Sequence, residues 1–211
     1  KQVATIASAF FFTSVVSENA EELRNNAPTG EYEYTHIKDD EEFVTPVIYY
    51  SNPNIYPLEE YLIRKNECTR YADSLGLTII DDDYCHDEWL AHVKGLENEP
   101  ERGRRCRRCF EMRLRRTARY AHENGISVVT TTLASSRWKS LEQINAAGQW
   151  AVEPYDDVAW WEQNWRKGGL SERRLEIIKQ YGFYNQQYCG CEFSMTHDKN
   201  KEQATQQPSG N

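Results

Sequence analysis

Two short-spaced cysteine pairs lie far apart in this chain. One is Cys106-Arg-Arg-Cys109, inside Glu101-Arg-Gly-Arg-Arg-Cys106-Arg-Arg-Cys109-Phe-Glu-Met-Arg113; the other is Cys189-Gly-Cys191. Thiolate ligands have to converge on one ion or cluster, so two such pairs point to one metal or redox centre, formed when folding brings both to the same spot. Four thiolates suffice for tetrahedral zinc, whose sulfurs would lie about 3.5–4 Å apart given a Zn–S bond of about 2.3 Å. Ordinary buried or free cysteines are the plainer alternative. Cys85 and His86, in Asp82-Asp-Tyr-Cys85-His86-Asp87, are candidate additional ligands or a plain loop pair. Cys68 falls within an amphipathic helical pattern and reads as core.

Other polar residues sit where chemistry is done. Arg137 and Lys139 follow a strand pattern and could meet a phosphate, or pair with nearby carboxylates. Asn52 and Asn54 flank Pro53 and could hydrogen-bond a base or sugar, or simply build the turn. Trp160, Trp161 and Trp165 could stack on a nucleobase or fill the core.

Charge separates along the chain. The 211 residues carry a formal net charge of -8, which argues weakly against a general nucleic-acid binder. Arginines nevertheless crowd around the first cysteine pair, Arg105 and Arg108 among them, while acidic residues gather at 39–42 and 81–83. A local basic face on an acidic protein is one reading; a solvated helix face with Glu101 and Glu111 as counter-charges is the other. The six cysteines do not resemble a small disulfide scaffold, and the length removes the need for one, so an intracellular, reducing compartment fits better. The apolar run 3–16 is too short to span a bilayer, and no membrane-spanning segment is expected. It could be the remnant of a targeting segment, though a buried strand leading into a helix is preferred.

The elements alternate. Strands are expected at 2–7, 43–50, 77–81 and 126–132. Helices are expected at 14–25, 57–75, 87–94, 109–124, 140–150 and 171–181, several of them stopped by Gly76, Gly95, Gly125 and Gly182. Ser140 followed by Gln143 forms a capping box. The stretch 156–165 is aromatic and mixed. This alternation implies an α/β fold with a mostly parallel sheet, flanking helices and a helical C-terminal part, with ligands beyond the carboxyl ends of the strands. Residues 1–194 form one domain with an inserted loop at 26–40, and 195–211 read as a polar, flexible tail. No P-loop, G-x-G-x-x-G, H-E-x-x-H or G-x-S-x-G motif supports a nucleotide or hydrolase reading.

Several motifs in order resemble the QueH family of epoxyqueuosine reductases. They are Tyr50-Ser-Asn52-Pro-Asn-Ile-Tyr-Pro57, Glu60-Tyr-Leu-Ile-Arg64-Lys65, the stretch from Lys94 to Arg113, Thr130-Thr-Thr-Leu133, Arg137-Trp-Lys139, Gln143-Ile-Asn145, Tyr155-Asp-Asp-Val158, Asn164-Trp-Arg-Lys-Gly168 and Tyr188-Cys-Gly-Cys191. The resemblance runs from about Val47 to Ser194. It implies reduction of the epoxide of epoxyqueuosine in tRNA, with an iron–sulfur cluster and additional iron held by cysteines near the strand ends. It also implies a fold like that of tRNA-modifying ATPases. Under it Asn52, Asn54, Arg137 and Lys139 are substrate-binding candidates, Lys139 and Arg137 could polarise the epoxide oxygen, and Arg105 and Arg108 are tRNA-contact candidates.

One departure bears on function. The family carries an adjacent cysteine pair after its first strand, and no cysteine precedes Cys68 here. Either Ser8-Ala9-Phe10 or Asn25-Asn26-Ala27-Pro28-Thr29 stands at that place. A [4Fe–4S] cluster normally takes four thiolates. Two functions therefore stand open. One is a binding or structural subunit of a larger, organellar (mitochondrial or plastid) assembly that has lost the cluster and keeps zinc, another single metal or none. The other is an active reductase with altered ligation by Cys106, Cys109, Cys189, Cys191 and a substitute such as Cys85.

Overall fold

A computed structural model describes residues 14–17 and 47–195. The expected strand at 2–7, the inserted loop at 26–40 and the tail from 196 onward lie outside them.

Five short strands form one sheet: β1 (Ser14–Ser17), β2 (Val47–Tyr50), β3 (Ile79–Asp81), β4 (Val128–Thr130) and β5 (Ala159–Trp160). Their order is β3-β2-β1-β4-β5. β2 pairs parallel with β3, and β4 with β5. β1 runs antiparallel to both its neighbours, with Val15 opposite Ile48 and Thr130. This corrects the helix expected from residue 14. The adjacent Val15 and Val16 are β-branched, stiff at χ1, and suit a pleated strand better than a helical turn.

The helices are α1 (Leu58–Ser74), α2 (His86–His92), α3 (Arg104–Glu123), α4 (Leu141–Val152) and α5 (Leu170–Tyr181). α4 starts at the expected N-cap, with the Ser140 hydroxyl accepting the Gln143 N–H at 3.2 Å, while the Gln143 side chain turns to the Arg102 carbonyl in place of closing the box. Among the described residues, no helix is long and apolar enough to cross a membrane.

Two apolar clusters hold the sheet. On one side Ile48 and Tyr50 of β2 pack with Tyr71 of α1, Ile177 of α5 and Phe183. On the other, Phe110 and Leu114 of α3 meet Ile144 and Ala147 of α4 and Val129 and Trp160 of the strands. Gly148 makes that second packing possible: a Cβ there would lie 2.1 Å from the Trp160 ring. The absence of a side chain lets α4 lie directly on the indole. Trp160 and Trp165 therefore fill the core, the second of the two readings open from the sequence, and Trp161 is partly buried at its edge. Trp160 is buried against Gly148, and Trp165 is buried with its indole N–H donating to the Thr131 carbonyl at 2.8 Å. Trp161 meets Trp165 edge-on.

Candidate functional site

The first cysteine pair is presented by the start of α3. The helix begins at Arg104, earlier than the sequence pattern suggested, so Cys106 lies in its first turn and Cys109 on the same face one turn later. The Cys106 sulfur accepts the Arg102 N–H at 3.3 Å. Cys109 is buried with Cys191, Trp89 and Val93, and Cys189 and Phe193 pack against that group.

The second pair is set by backbone anchors. Gly190 adopts φ +101°, and a Cβ there would meet Ile55 at 2.8 Å, so the turn between the cysteines needs glycine. The Gly190 carbonyl accepts the Tyr56 N–H at 2.9 Å, and buried Arg64 donates to the Tyr188 carbonyl at 3.0 Å. Glu60 holds Arg64 at 2.7 Å. The Cys189–Cys191 turn is thus fixed to the loop between β2 and α1. The Cys189 sulfur lies 3.5 Å from the Ser194 hydroxyl, which donates to the Cys191 carbonyl at 2.6 Å.

Cys189, Cys106 and Cys109 lie close enough to Lys139 to act on its charge, and Cys191 is coupled to Cys189. Burial pulls the Lys139 ammonium down, but Cys189, Cys106, Cys109 and Glu101 outweigh it and raise its pKa. Burial, opposed by Lys139, raises the Cys106 thiol. Cys189 and Cys191 behave as one unit sharing a proton. The hydrogen bond from Cys191 holds Cys189 well below the usual thiol range, while Cys191 is pushed up. The sulfurs remain free thiols: among the described residues, no three or more Cys, His, Asp or Glu side chains close to metal-holding distances. As a donor set, four converging thiols suit a soft four-thiolate group.

The depressed Cys189 is a thiolate at a pH where a free thiol is protonated. Its contribution to stability is therefore present above the ordinary thiol pKa and lost as pH falls through the lowered folded value. In metal-free protein at pH 7, iodoacetamide should label Cys189 first and Cys68, which is buried with a raised pKa, last. Peptide mapping by mass spectrometry checks the order, and Cys68 labelled ahead of Cys189 would contradict it.

Beside the thiols opens a cavity of about 440 Å³. Its wall includes Tyr50 and Asn52 past β2, Ser135 and Lys139 past β4, and Tyr188 and Cys189 from the C-terminal turn. It thus lies beyond the carboxyl ends of the strands, as an α/β sheet requires. The Tyr50 hydroxyl and the Asn52 amide nitrogen are buried and lack hydrogen-bond partners in the structure, so polar groups are left for a ligand. Asn52 is held in orientation by Arg113, which donates to its side-chain oxygen at 2.6 Å and to the Ser51 carbonyl at 3.0 Å.

The other predicted residues divide. Asn54 is buried beside Gly190 and is not among the residues of the cavity wall. Arg137 is exposed and stacks over Trp138 outside the cavity wall. Arg105 is buried and donates to the carbonyls of Leu96, Glu97 and Glu99, so it is not a tRNA contact; those three acceptors hold it inside. Arg108 stays exposed, paired with Glu111 at 3.2 Å. Cys85 precedes α2, its thiol raised by burial and opposed by Arg116. His86 spends both ring nitrogens, on the Pro53 carbonyl and the Glu192 carboxylate, each at 2.8 Å, and has none left for a metal. Arg64 and Arg113 stand in the family-like motifs, but sequence reasoning gave neither a role. The spacing of Glu60 and Arg64 was a further signal for the first, since i,i+4 pairs face each other on a helix.

The family model described as epoxyqueuosine reductase QueH matches residues 26–197. A Histophilus somni protein named epoxyqueuosine reductase QueH is 54% identical over 154 residues, covering 73% of this chain and 63% of the relative. An Acinetobacter baylyi protein of that name is 49% identical over 159 residues, covering 75% of this chain and 72% of the relative. One from Thermotoga maritima is 34% identical over 169 residues, covering 79% and 84%. The chain thus spans less than two thirds of the Histophilus relative's length. The matched residues include both cysteine pairs and the cavity wall, and the chain belongs to the QueH family of epoxyqueuosine reductases.

Proposed function

We propose that this chain provides the nucleoside-binding cavity and the four-thiolate metal centre for reducing the epoxide of epoxyqueuosine in tRNA. One observation carries this reading: Cys106, Cys109 and Cys189 gather around Lys139 in the wall of a polar cavity at the strand ends, with Cys191 coupled to Cys189.

The reaction takes two electrons and two protons, converting the epoxide to a carbon–carbon double bond and releasing its oxygen as water. A four-thiolate iron–sulfur group on Cys106, Cys109, Cys189 and Cys191 would supply electrons drawn from a low-potential one-electron donor. The protein's own residues do the rest. Asn52, oriented by Arg113, and the Tyr50 hydroxyl hydrogen-bond the nucleoside. The Lys139 ammonium donates to the epoxide oxygen and stabilises the negative charge that develops there. Phe110, 5.8 Å from the Lys139 nitrogen, shields that ammonium on one side.

A second reading has a specific observation behind it. No cysteine precedes Cys68, so the residues standing where the family's adjacent pair falls supply no thiolate. In that reading the four thiols hold zinc, which has no redox chemistry. The chain then binds without reducing, as a subunit of a larger assembly.

Anaerobic incubation with iron, sulfide, a chemical reductant and epoxyqueuosine-containing tRNA separates the two. Nucleoside analysis by mass spectrometry should show queuosine. Binding without conversion would favour the second reading.

A further inference from the structure

At the mouth of the cavity stands Trp138, whose ring is 64% exposed. An exposed indole on a mobile loop would mean little. This one is pinned. Arg102 donates to the Arg137 and Trp138 carbonyls, both at 2.9 Å, and its own carbonyl accepts the Gln143 side chain at 2.6 Å. The Ser136 hydroxyl accepts the Trp138 N–H at 3.3 Å. The backbone that carries the ring is therefore already ordered by the fold, and the Arg137 guanidinium stacks on the ring itself, as in a preorganised binding surface.

The surrounding charge is positive. The Arg137 guanidinium lies over the Trp138 ring at 4.8 Å and has no carboxylate partner among the described residues. A guanidinium held over an exposed aromatic ring suits a phosphate and a base together. The cavity wall carries Arg64, Arg113 and Lys139 against Glu101, which continues the same sign inward.

We propose that the Arg137–Trp138 stack docks a nucleotide adjoining the target nucleoside, Trp138 taking its base and Arg137 its phosphate. This rests on the tRNA reading above. It assigns a role to the exposed Trp138 and moves Arg137 from the substrate pocket to the neighbouring nucleotide.

The test compares two probes: a fluorescent anticodon stem-loop RNA carrying the modified nucleoside, and the free nucleoside, which lacks neighbouring bases and phosphates. Arg137→Ala, Trp138→Ala and Trp138→Phe are measured with the unmutated protein, and circular dichroism melts confirm that each is folded. Arg137→Ala should weaken RNA binding roughly ten-fold and reduce the salt slope by ~0.7, while leaving free-nucleoside binding unchanged. Trp138→Ala should weaken RNA binding roughly ten-fold, and Trp138→Phe should recover most of it, because stacking needs a ring of any kind. RNA binding unchanged in both alanine variants, with nucleoside binding intact, would overturn the docking role and leave the cavity reading standing. Equal weakening of both probes by Arg137→Ala would also overturn it. Failure of the unmutated protein to bind either probe would overturn both readings.

Discussion

Arg105→Ala should lower the melting temperature by roughly 10 °C or more, a loss of about 3–5 kcal/mol in a domain of this size. The Arg105 side chain is only 1% exposed. One of its terminal nitrogens donates to the Leu96, Glu97 and Glu99 carbonyls at 3.2, 2.8 and 2.5 Å. Alanine would leave those carbonyls without this donor and open a void where the buried guanidinium lay. Arg105 also stacks over Phe193 at 5.4 Å, next to the second cysteine pair. Since it sits one residue before Cys106, it ties the first cysteine pair to the loop that leads into α3. Arg105→Lys should recover only part of the loss, because an ammonium does not reproduce the planar fork. Arg108→Ala should cost less than about 1 kcal/mol, since Arg108 itself is exposed and Arg107 still pairs with the buried Glu111. Thermal melts of the three variants check this, and an Arg105→Ala melt matching that of the unmutated protein would contradict it.

Arg105 and Arg108 show what a sequence cannot separate. Both belong to one arginine-rich run around the cysteines, and nothing local marks one as buried. The difference comes from where residues 96–99 fold back, which is a tertiary fact. Arg64 and Arg113 escaped for the same reason. Their partners are the carbonyls of Tyr188 and Ser51, far away in the chain, and such bonds leave no periodic trace.

Other features were legible because local physics decides them. The Ser140–Gln143 cap and the glycine stops bounded α1, α4 and α5 closely. Cys109, Cys189 and Cys191 pack in one cluster, as two close-spaced pairs allow. α3 was placed too late because its start carries Gly103, which offers no side-chain cap, in place of a Ser, Thr, Asp or Asn. β1 was read as helix because two valines are too few to show a period. β5, at two residues, fell below any pattern, and its pairing with β4 defines it.

The second large effect concerns the thiols. Removing Cys109 and Cys191 takes away one sulfur from each pair, both buried against Trp89 and Val93. Because metal binding couples to folding, loss of the centre should also lower the melting temperature measured in the presence of metal. Cys85 stands beside Arg116, so Cys85→Ser is the control that should change neither property.

Metal content of the anaerobically reconstituted protein tests the four-thiol centre most directly. The account predicts a stoichiometric sulfur-bound metal: about four irons per chain with visible charge-transfer absorbance for the reductase reading, or about one zinc for the binding reading. It predicts near-complete loss of that metal in the Cys109→Ser/Cys191→Ser double variant and full retention in Cys85→Ser. Equal metal content in the double variant and the unmutated protein, or no bound metal in the unmutated protein after reconstitution, would contradict it.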